Sequence, residues 1–542
     1  MSSEPLGLRL AFGLAAFGQL LVLLGISGLL RPWVLVTLAI VLTIAAVACI
    51  RPTPIRWQWL AAGAIATIPF ALLALFPPIA FDETVYHLPF VQALARSGSI
   101  EFLGHLRFPA FPQLHELLCV PVFLAFGDTA THLVTLAEGI VLAMLLLDST
   151  RGDRRAGILA AALCLGHPIM VQLATVNHVE LALTLFVAAG VICLDRMTDH
   201  PYYSAAAGFF LGTACCVKYL GWYFAAAGFA FLLLFGPARK RTVPLFLCAL
   251  AIAVLPTYGK IVQLTGNPVH PFLHTIFGAT PWEMPGPPVM SPAERVVGGV
   301  RLFWDVTFAR DRLNQQPPYS PLFALSFAVM LVAAVRNRRA AFVAAVCIGY
   351  IAIFRFLPQD SRYLVPLFPL VSIVAARVIA SRLQEQPRAN AIAAALALFA
   401  FAPAIAYAGY RLEKQGLPPV TPAQREAYLE RRMPEYRAFQ KRGAGPLYQC
   451  GAEQFQSFGH PLLGDLNGLT PSHEILGKSR DAAELAQALE RIGARDLLIS
   501  RAHCPTVWQS LPREPYFRQI YADESAVLWR VTDASPTRDS AR

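Results

Sequence analysis

Two adjacent carboxylates, Asp82 and Glu83, follow a long apolar run and are followed in turn by Tyr86 and His87. A carboxylate partly withdrawn from water can take a proton from an alcohol or an amine, which is general-base chemistry. A solvated helix cap would also account for two acids at the end of an apolar segment. Lys218 lies inside a hydrophobic hairpin, where an ionisable side chain is expensive and usually functional or paired. A lysine snorkelling to the membrane surface is the other explanation. Arg362 precedes Tyr363 in a short polar turn, and His178 and Glu180 lie two apart at a helix start. Such cations could hold a phosphate and stabilise negative charge as it grows on a leaving group. Arg107 and Arg301 could join them. A metal site at His178 and Glu180 with His87 is one reading, although no standard zinc spacing is present, and polar capping at the membrane surface is the other. His270 and His274 are four apart, but in a Pro-rich loop. The chain has no Gly-rich phosphate loop and no serine elbow.

The elements that must position these residues are membrane helices. The chain has 542 residues, 56% hydrophobic and 15% charged, with mean hydropathy +0.50. Few soluble cores could absorb so much apolar surface. The net charge is +11, yet the basic residues sit in short loops rather than in a compact stripe. Nucleic-acid binding is therefore rejected. Apolar runs predict spans at 8–30, 33–50, 57–79, 131–147, 156–173, 178–194, 203–217, 219–236, 243–264, 321–335, 340–357, 363–380 and 389–410. The first is read as a spanning helix and not as a cleaved signal. The run 114–127 is short and interrupted by Pro121, so an interfacial or re-entrant helix is expected there. Basic residues cluster in alternate loops, as at Arg154-Arg155, Arg239-Lys240-Arg241 and Arg338-Arg339. This asymmetry places 80–130, 265–320 and everything after about 411 outside the cytoplasm.

Residues 85–95 carry apolar side chains at Val85, Leu88, Val91, Leu94 and Ala95, the spacing of a helix lying flat in the interface. The acidic pair would then sit at the water–lipid boundary under interfacial helices. The tail reads as a second domain. "GPLYQC" and "ARDLLIS" are strands, "RDAAELAQALERIG" is a helix, and "FRQIYADESAVLWRV" is a hairpin with an Asp-Glu-Ser turn. The expected fold class is thus a polytopic α-helical membrane protein of about thirteen spans, with interfacial helices in the first large external loop and a small extracytoplasmic α/β domain. The division is 1–410 for the membrane part, 411–445 for a connecting segment and 446–542 for the tail. Eight of the ten cysteines lie in or near apolar segments and read as small core residues; Cys450 and Cys504 are in the tail, where they could pair if it is extracytoplasmic.

The stretch "FDETVYHLPFVQALARSGSI" resembles the first external loop of the membrane glycosyltransferases that use polyprenyl-phosphate-linked sugars. This is the C-type glycosyltransferase (GT-C) fold of the protein O-mannosyltransferases and the aminoarabinose transferase of lipid A. "NHVELALTLFVAAGVICLD", "GTACCVKYLGWYF", "TGNPVHPFLHTIFG" and "PQDSRYLVPLFPLVSIVAA" resemble later segments of the same family, in order, so that the likeness spans about 57–410. It implies Asp82 as the leading catalytic carboxylate, with Glu83 as its neighbour or a metal-side ligand. The leaving polyprenyl phosphate of such a reaction needs cations, for which Lys218, Arg362 and Arg107 are the candidates, and Tyr86, His87, His178, Glu180, Tyr219 and Tyr363 are the expected substrate contacts. No residue is assigned to a metal, although a divalent ion could assist.

The implied activity is transfer of a hexosyl or pentosyl group from a polyprenyl phosphate to an extracytoplasmic glycan, glycolipid or protein, with inversion, in the bacterial inner membrane. Two alternatives stand beside it: a lipid or small-molecule transporter or flippase, and a polysaccharide polymerase of the cell envelope. A transporter would use charges near the bilayer midplane and often internal repeats; the chain shows no repeat.

Overall fold

A computed structural model describes residues 4–49, 57–150, 152–278, 290–465 and 470–532. It divides into two compact units. One comprises Met1–Phe76, Pro112–Lys260 and Gly286–Pro418; the other comprises Pro77–Phe111, Ile261–Pro285 and Pro419–Arg542.

The first unit is helical. Four helices among the described residues are long and apolar enough to cross a membrane on their own: Leu6–Ile26, Thr129–Leu147, Arg239–Thr265 and Ala389–Gln415. Shorter apolar helices, including Tyr202–Val217, Gly221–Phe235 and Leu322–Arg336, fill the rest of the bundle. Small residues let these helices approach closely. A Cβ at Gly208 would lie 2.1 Å from the Phe246 carbonyl oxygen, so the Tyr202–Val217 and Arg239–Thr265 helices touch backbone to backbone there.

Two stretches differ from the sequence reading. The expected 156–173 span breaks into helices Arg154–Leu165 and Pro168–Leu173. His167 between them is extended, as the residue before a proline prefers to be, and Pro168 then opens the second helix. The expected 363–380 span starts only at Leu367, after a 3₁₀ turn over Ser361–Leu364 that holds Arg362 and Tyr363. A further helix, Pro292–Phe308, lies in what reads as a plain external loop. It opens on a reciprocal capping box between Ser291 and Glu294 with Pro292 at its first position.

The second unit contains a five-stranded mixed sheet of β1 (Leu447–Cys450), β2 (Leu462–Leu463), β3 (Asp496–Ser500), β4 (Phe517–Ala522) and β5 (Ala526–Val531), in the order β2-β1-β3-β5-β4. β1 runs parallel to β2 and β3, while β5 is antiparallel to β3 and β4. The helix Ala482–Arg491 lays Leu485, Ala486 and Leu489 onto a core with Tyr448, Leu497, Ile499 and Phe517. Cys450 and Cys504 form a disulfide at the edge of this core. The hairpin turn is fixed by Asp523, whose carboxylate accepts from the backbone N–H groups of Ser525 and Ala526 at 2.8 and 2.9 Å.

Residues 77–111 belong to the same unit. Pro77 and Pro78 follow the end of the helix Trp57–Ala74. A single π-helical turn, Glu83–His87, then leads into the helix Leu88–Ser97. Val85, Leu88, Val91 and Leu94 are all buried, as their spacing predicts. Their cover is protein: turn and helix pack on the 3₁₀ segment Glu453–Phe458 of the tail, and Phe90 meets Phe111 edge to face at 4.8 Å. The amphipathic period here marks a face closed by the tail, which the sequence reading had left to lipid.

Candidate active site

In the second unit, the acidic pair divides by environment. The Glu83 side chain is fully buried and turns back to accept from the Ala80 backbone N–H at 3.3 Å. Asp82 is half-buried at the start of the π turn. Single π turns often occur at functional sites, because the extra residue re-aims the side chains around it. Tyr86 packs against His87 and edge-on to Phe108, with centroids 4.3 and 4.9 Å apart, forming an aromatic wall beside the pair. Arg107 lies 5.2 Å over the Phe81 ring and donates through Nε to both carboxylate oxygens of Asp465, at 3.2 and 3.3 Å. Burial would lower its pKa, but Asp465, with Glu453 and Asp82 adding smaller fields, raises it above the ordinary value. Arg107 therefore ties the first loop to the tail; it was expected to hold phosphate.

In the first unit, four charged residues from distant parts of the chain meet. Glu180 is the first residue of the helix Glu180–Arg196, and its carboxylate accepts from Lys218 Nζ at 2.9 Å. Lys218 leaves the helix Tyr202–Val217 in an extended conformation. The next helix begins at Gly221, where a Cβ would fall 2.5 Å from the backbone of Ala214 and Cys215, so only glycine permits so tight a hairpin. The Lys218 ammonium stands 4.1 Å above the Tyr363 ring. Arg362 donates to Asp360 Oδ2 at 2.8 Å and lies 3.3 Å from His178 Nδ1. Asp360 Oδ2 also accepts from Asn314 at 2.8 Å and Gln316 at 3.2 Å. Burial pushes the Asp360 carboxyl up from its ordinary value, against the pull of Arg362. The Arg362 side chain is 5% exposed and that of Lys218 25%. Lys218 is thus the more exposed of the two cations, and Arg362 is a buried strut that orders the turn holding Tyr363.

Tyr219, at the tip of the same hairpin, packs 6.1 Å from Tyr258, whose hydroxyl accepts from Trp222 at 2.7 Å. Arg301 faces Asp305 of its own helix at 3.8 Å.

Sequence reading missed a second buried set. His115 lies between Glu138 Oε1, 2.9 Å from Nδ1, and Asn177 Oδ1, 2.8 Å from Nε2. Both His115 and Glu138 side chains are fully buried. Two acceptors on the two ring nitrogens suit a doubly protonated imidazole beside a carboxylate. Arg411 grips the other side of the same turn, donating to Gln172 at 2.8 Å and Thr175 at 2.9 Å. The 174–179 turn is thereby pinned from two sides, and it delivers His178 and Glu180 to the cation cluster. The available signal was an ionisable residue inside an apolar run, at "LHELLC" and "TLAEGIV". Among the described residues no group of three His, Cys, Asp or Glu side chains is arranged to hold a metal.

The likeness to known proteins concerns the fold. The structure superposes on the crystal structure of ArnT from Cupriavidus metallidurans in the apo state with a TM-score of 0.55 at 15% identity, over 87% of this chain and 97% of that one. The chain has the GT-C fold. The same protein bound to undecaprenyl phosphate gives a TM-score of 0.53 at 15% identity, covering 88% of this chain and 98% of that one. A weaker likeness, TM-score 0.49 at 14% identity, is to the oligosaccharyltransferase AglB from Archaeoglobus fulgidus, over 81% of this chain and 69% of that one. Residues 119–258 match the family described as dolichyl-phosphate-mannose-protein mannosyltransferase. Within this GT-C chain, that segment carries His178, Glu180, Lys218 and Tyr219; Asp82 and Arg362 lie outside it. No curated protein matches the chain in sequence.

Proposed function

We infer that the chain is an integral membrane glycosyltransferase that takes its sugar from a polyprenyl-phosphate donor and passes it to an acceptor outside the cytoplasm. The observation that carries this reading is the end-to-end correspondence of its fold with that of a protein crystallised with undecaprenyl phosphate. Asp82 is the general base. It is the more accessible of the acidic pair, while Glu83 spends an oxygen on the Ala80 N–H. The base takes the proton of an acceptor hydroxyl or amine, the freed lone pair attacks the anomeric carbon, and the lipid phosphate departs with the bonding electrons. A single displacement inverts the anomeric configuration. Lys218 stabilises the departing phosphate, set in place by Glu180 and Tyr363. Tyr86, partly exposed and backed by the buried His87, offers an aromatic face of the kind sugars stack upon.

The extracytoplasmic side of the tail and of Asp82 is supported by the loop charges and by the Cys450–Cys504 disulfide, a bond that persists in oxidising compartments. The membrane is the bacterial inner membrane, crossed by about thirteen helices, and the acceptor is a glycan, glycolipid or protein of the envelope. Mass spectrometry of envelope glycans and glycolipids from cells with and without the chain tests the reading. One hexosyl or pentosyl adduct disappears when the chain is absent. An unchanged set, under conditions where the chain is expressed, would remove the proposal.

A further inference from the structure

The helix Glu180–Arg196 has a polar site at each end. Glu180 opens it in the cation cluster, and Asp195, 15 residues on and so about 22 Å away along the axis, faces a different feature. A cavity of about 290 Å³ lies within the first unit, among this helix and the helices Gly221–Phe235, Arg338–Phe354 and Leu367–Leu383. Leu211, Phe224, Phe231, Phe342, Val343 and Ile373 make its walls apolar. Its charged lining is confined to Asp195, Arg339 and Arg377. Arg377 donates to Asp195 at 2.8 Å and to the Ser149 carbonyl at 3.1 Å; Arg339 stands 3.6 Å from the same carboxylate. Two guanidinium groups thus share one carboxylate at the mouth, and the exposed Arg336 and Arg338 flank it in sequence. Val332 and Val335, on the adjoining helix, are 70% and 84% exposed and continue the apolar surface outward.

We propose that this cavity is a binding site for an anionic phospholipid of the leaflet at the basic-loop end of the bundle. One acyl chain enters between the helices, and the headgroup phosphate is held by Arg339 and Arg377. The charge at the mouth selects this occupant. A zwitterionic lipid would fill the apolar walls equally well but would leave the excess arginine charge unmatched, whereas an anionic headgroup matches it. Basic pockets between membrane helices on this side suit anionic headgroups for the same reason. The cavity lies at the opposite end of the Glu180–Arg196 helix from Lys218, so the proposal stands independently of the transfer reaction.

The test uses the full chain in mild detergent, equilibrated with phosphatidylglycerol or phosphatidylcholine vesicles, with retained lipid counted by native mass spectrometry. The wild-type chain retains phosphatidylglycerol in preference. Each of Arg339→Gln and Arg377→Gln lowers that preference by roughly fivefold, the worth of one basic residue near a charged lipid surface. Val343→Phe, which fills the cavity, lowers retention of both lipids; Ala340→Leu does the same from the mouth and serves if the first variant fails to fold. Unchanged preference in both arginine variants would overturn the headgroup assignment. Unchanged retention in a folded cavity-filling variant would overturn the site itself. Displacement of phosphatidylglycerol from the cavity by a polyprenyl phosphate added at equal concentration would overturn the choice of occupant.

Discussion

The two units treat charge in different ways. In the helical unit, His115, Glu138, Glu180 and Arg362 are almost wholly buried, and each is held by partners far away in sequence. In the unit with the sheet, Asp82 is half-buried, and Arg107, 14% exposed, spans from the first loop to the tail by its bond to Asp465, 16% exposed. A buried charge stripped of its partner cannot be rescued by water, so the first arrangement is rigid and costly to disturb. A partly exposed charge can be solvated when its partner is removed, so the second arrangement costs less to disturb. The contrast is one of environment: the bundle holds its charges on buried partners, and the unit with the sheet leaves Asp82 partly exposed.

The sharpest way to break the comparison is at His115. His115→Ala leaves Glu138 buried without its imidazole and should cost about 3–5 kcal/mol, read as a lowered melting temperature of the detergent-purified chain. A variant melting like the wild type would show that the bundle's charges are not mutually dependent. Lys218→Met should slow transfer by about 10²–10³-fold at saturating donor, the loss typical of one group that stabilises developing charge. An unaltered single-turnover rate would return Lys218 to a purely structural role. Arg107→Ala and Asp465→Asn should each cost about 1.5–3 kcal/mol as single changes, typical of a charged hydrogen bond, and the double variant should cost less than their sum. Additive losses would dissolve the strut between loop and tail.

The smallest effect concerns Glu453. Burial pushes its carboxyl up from the ordinary value, with Asp465 adding and Arg107 opposing. The folded chain then binds this proton more tightly than the unfolded chain does. Its contribution is fully present below the ordinary carboxylate range and is lost as pH rises through the folded value. Glu453→Gln should therefore stabilise the chain at neutral pH and leave it unchanged in acid. Melting curves at the two pH values check this, and a variant destabilised at neutral pH would contradict it.

Much of this was legible where the pattern is local. The tail's helix and four of its strands follow from hydrophobic period, the Gly493 stop and the Asp523 turn. β2 is two residues long, too short to leave a period. The break at Gly166-His167 was hidden in a continuous apolar run, and only Pro168 signalled it. The capping box at Ser291 was readable but lay in a stretch taken for loop. The candidate residues themselves stood out by type: acids and cations in apolar surroundings. Their pairings did not, because Lys218 and Glu180 are 38 residues apart and Arg362 and His178 are 184 apart. Period and propensity carry no such long-range information. The ranking of Asp82 over Glu83 in sequence rests on family likeness alone; no local pattern shows that Glu83 is buried and bonded to the Ala80 N–H while Asp82 is only half-buried.

The central claim is that Asp82 is the base of a sugar transfer. Cells lacking the chain are complemented with the wild type, Asp82→Asn or Glu83→Gln at matched membrane expression, and their envelope glycans and glycolipids are compared by mass spectrometry. Asp82→Asn keeps the shape and removes the base, so the adduct should fall by about 10²-fold or more, while Glu83→Gln retains the greater part of it. Full restoration of the adduct by Asp82→Asn would contradict the account.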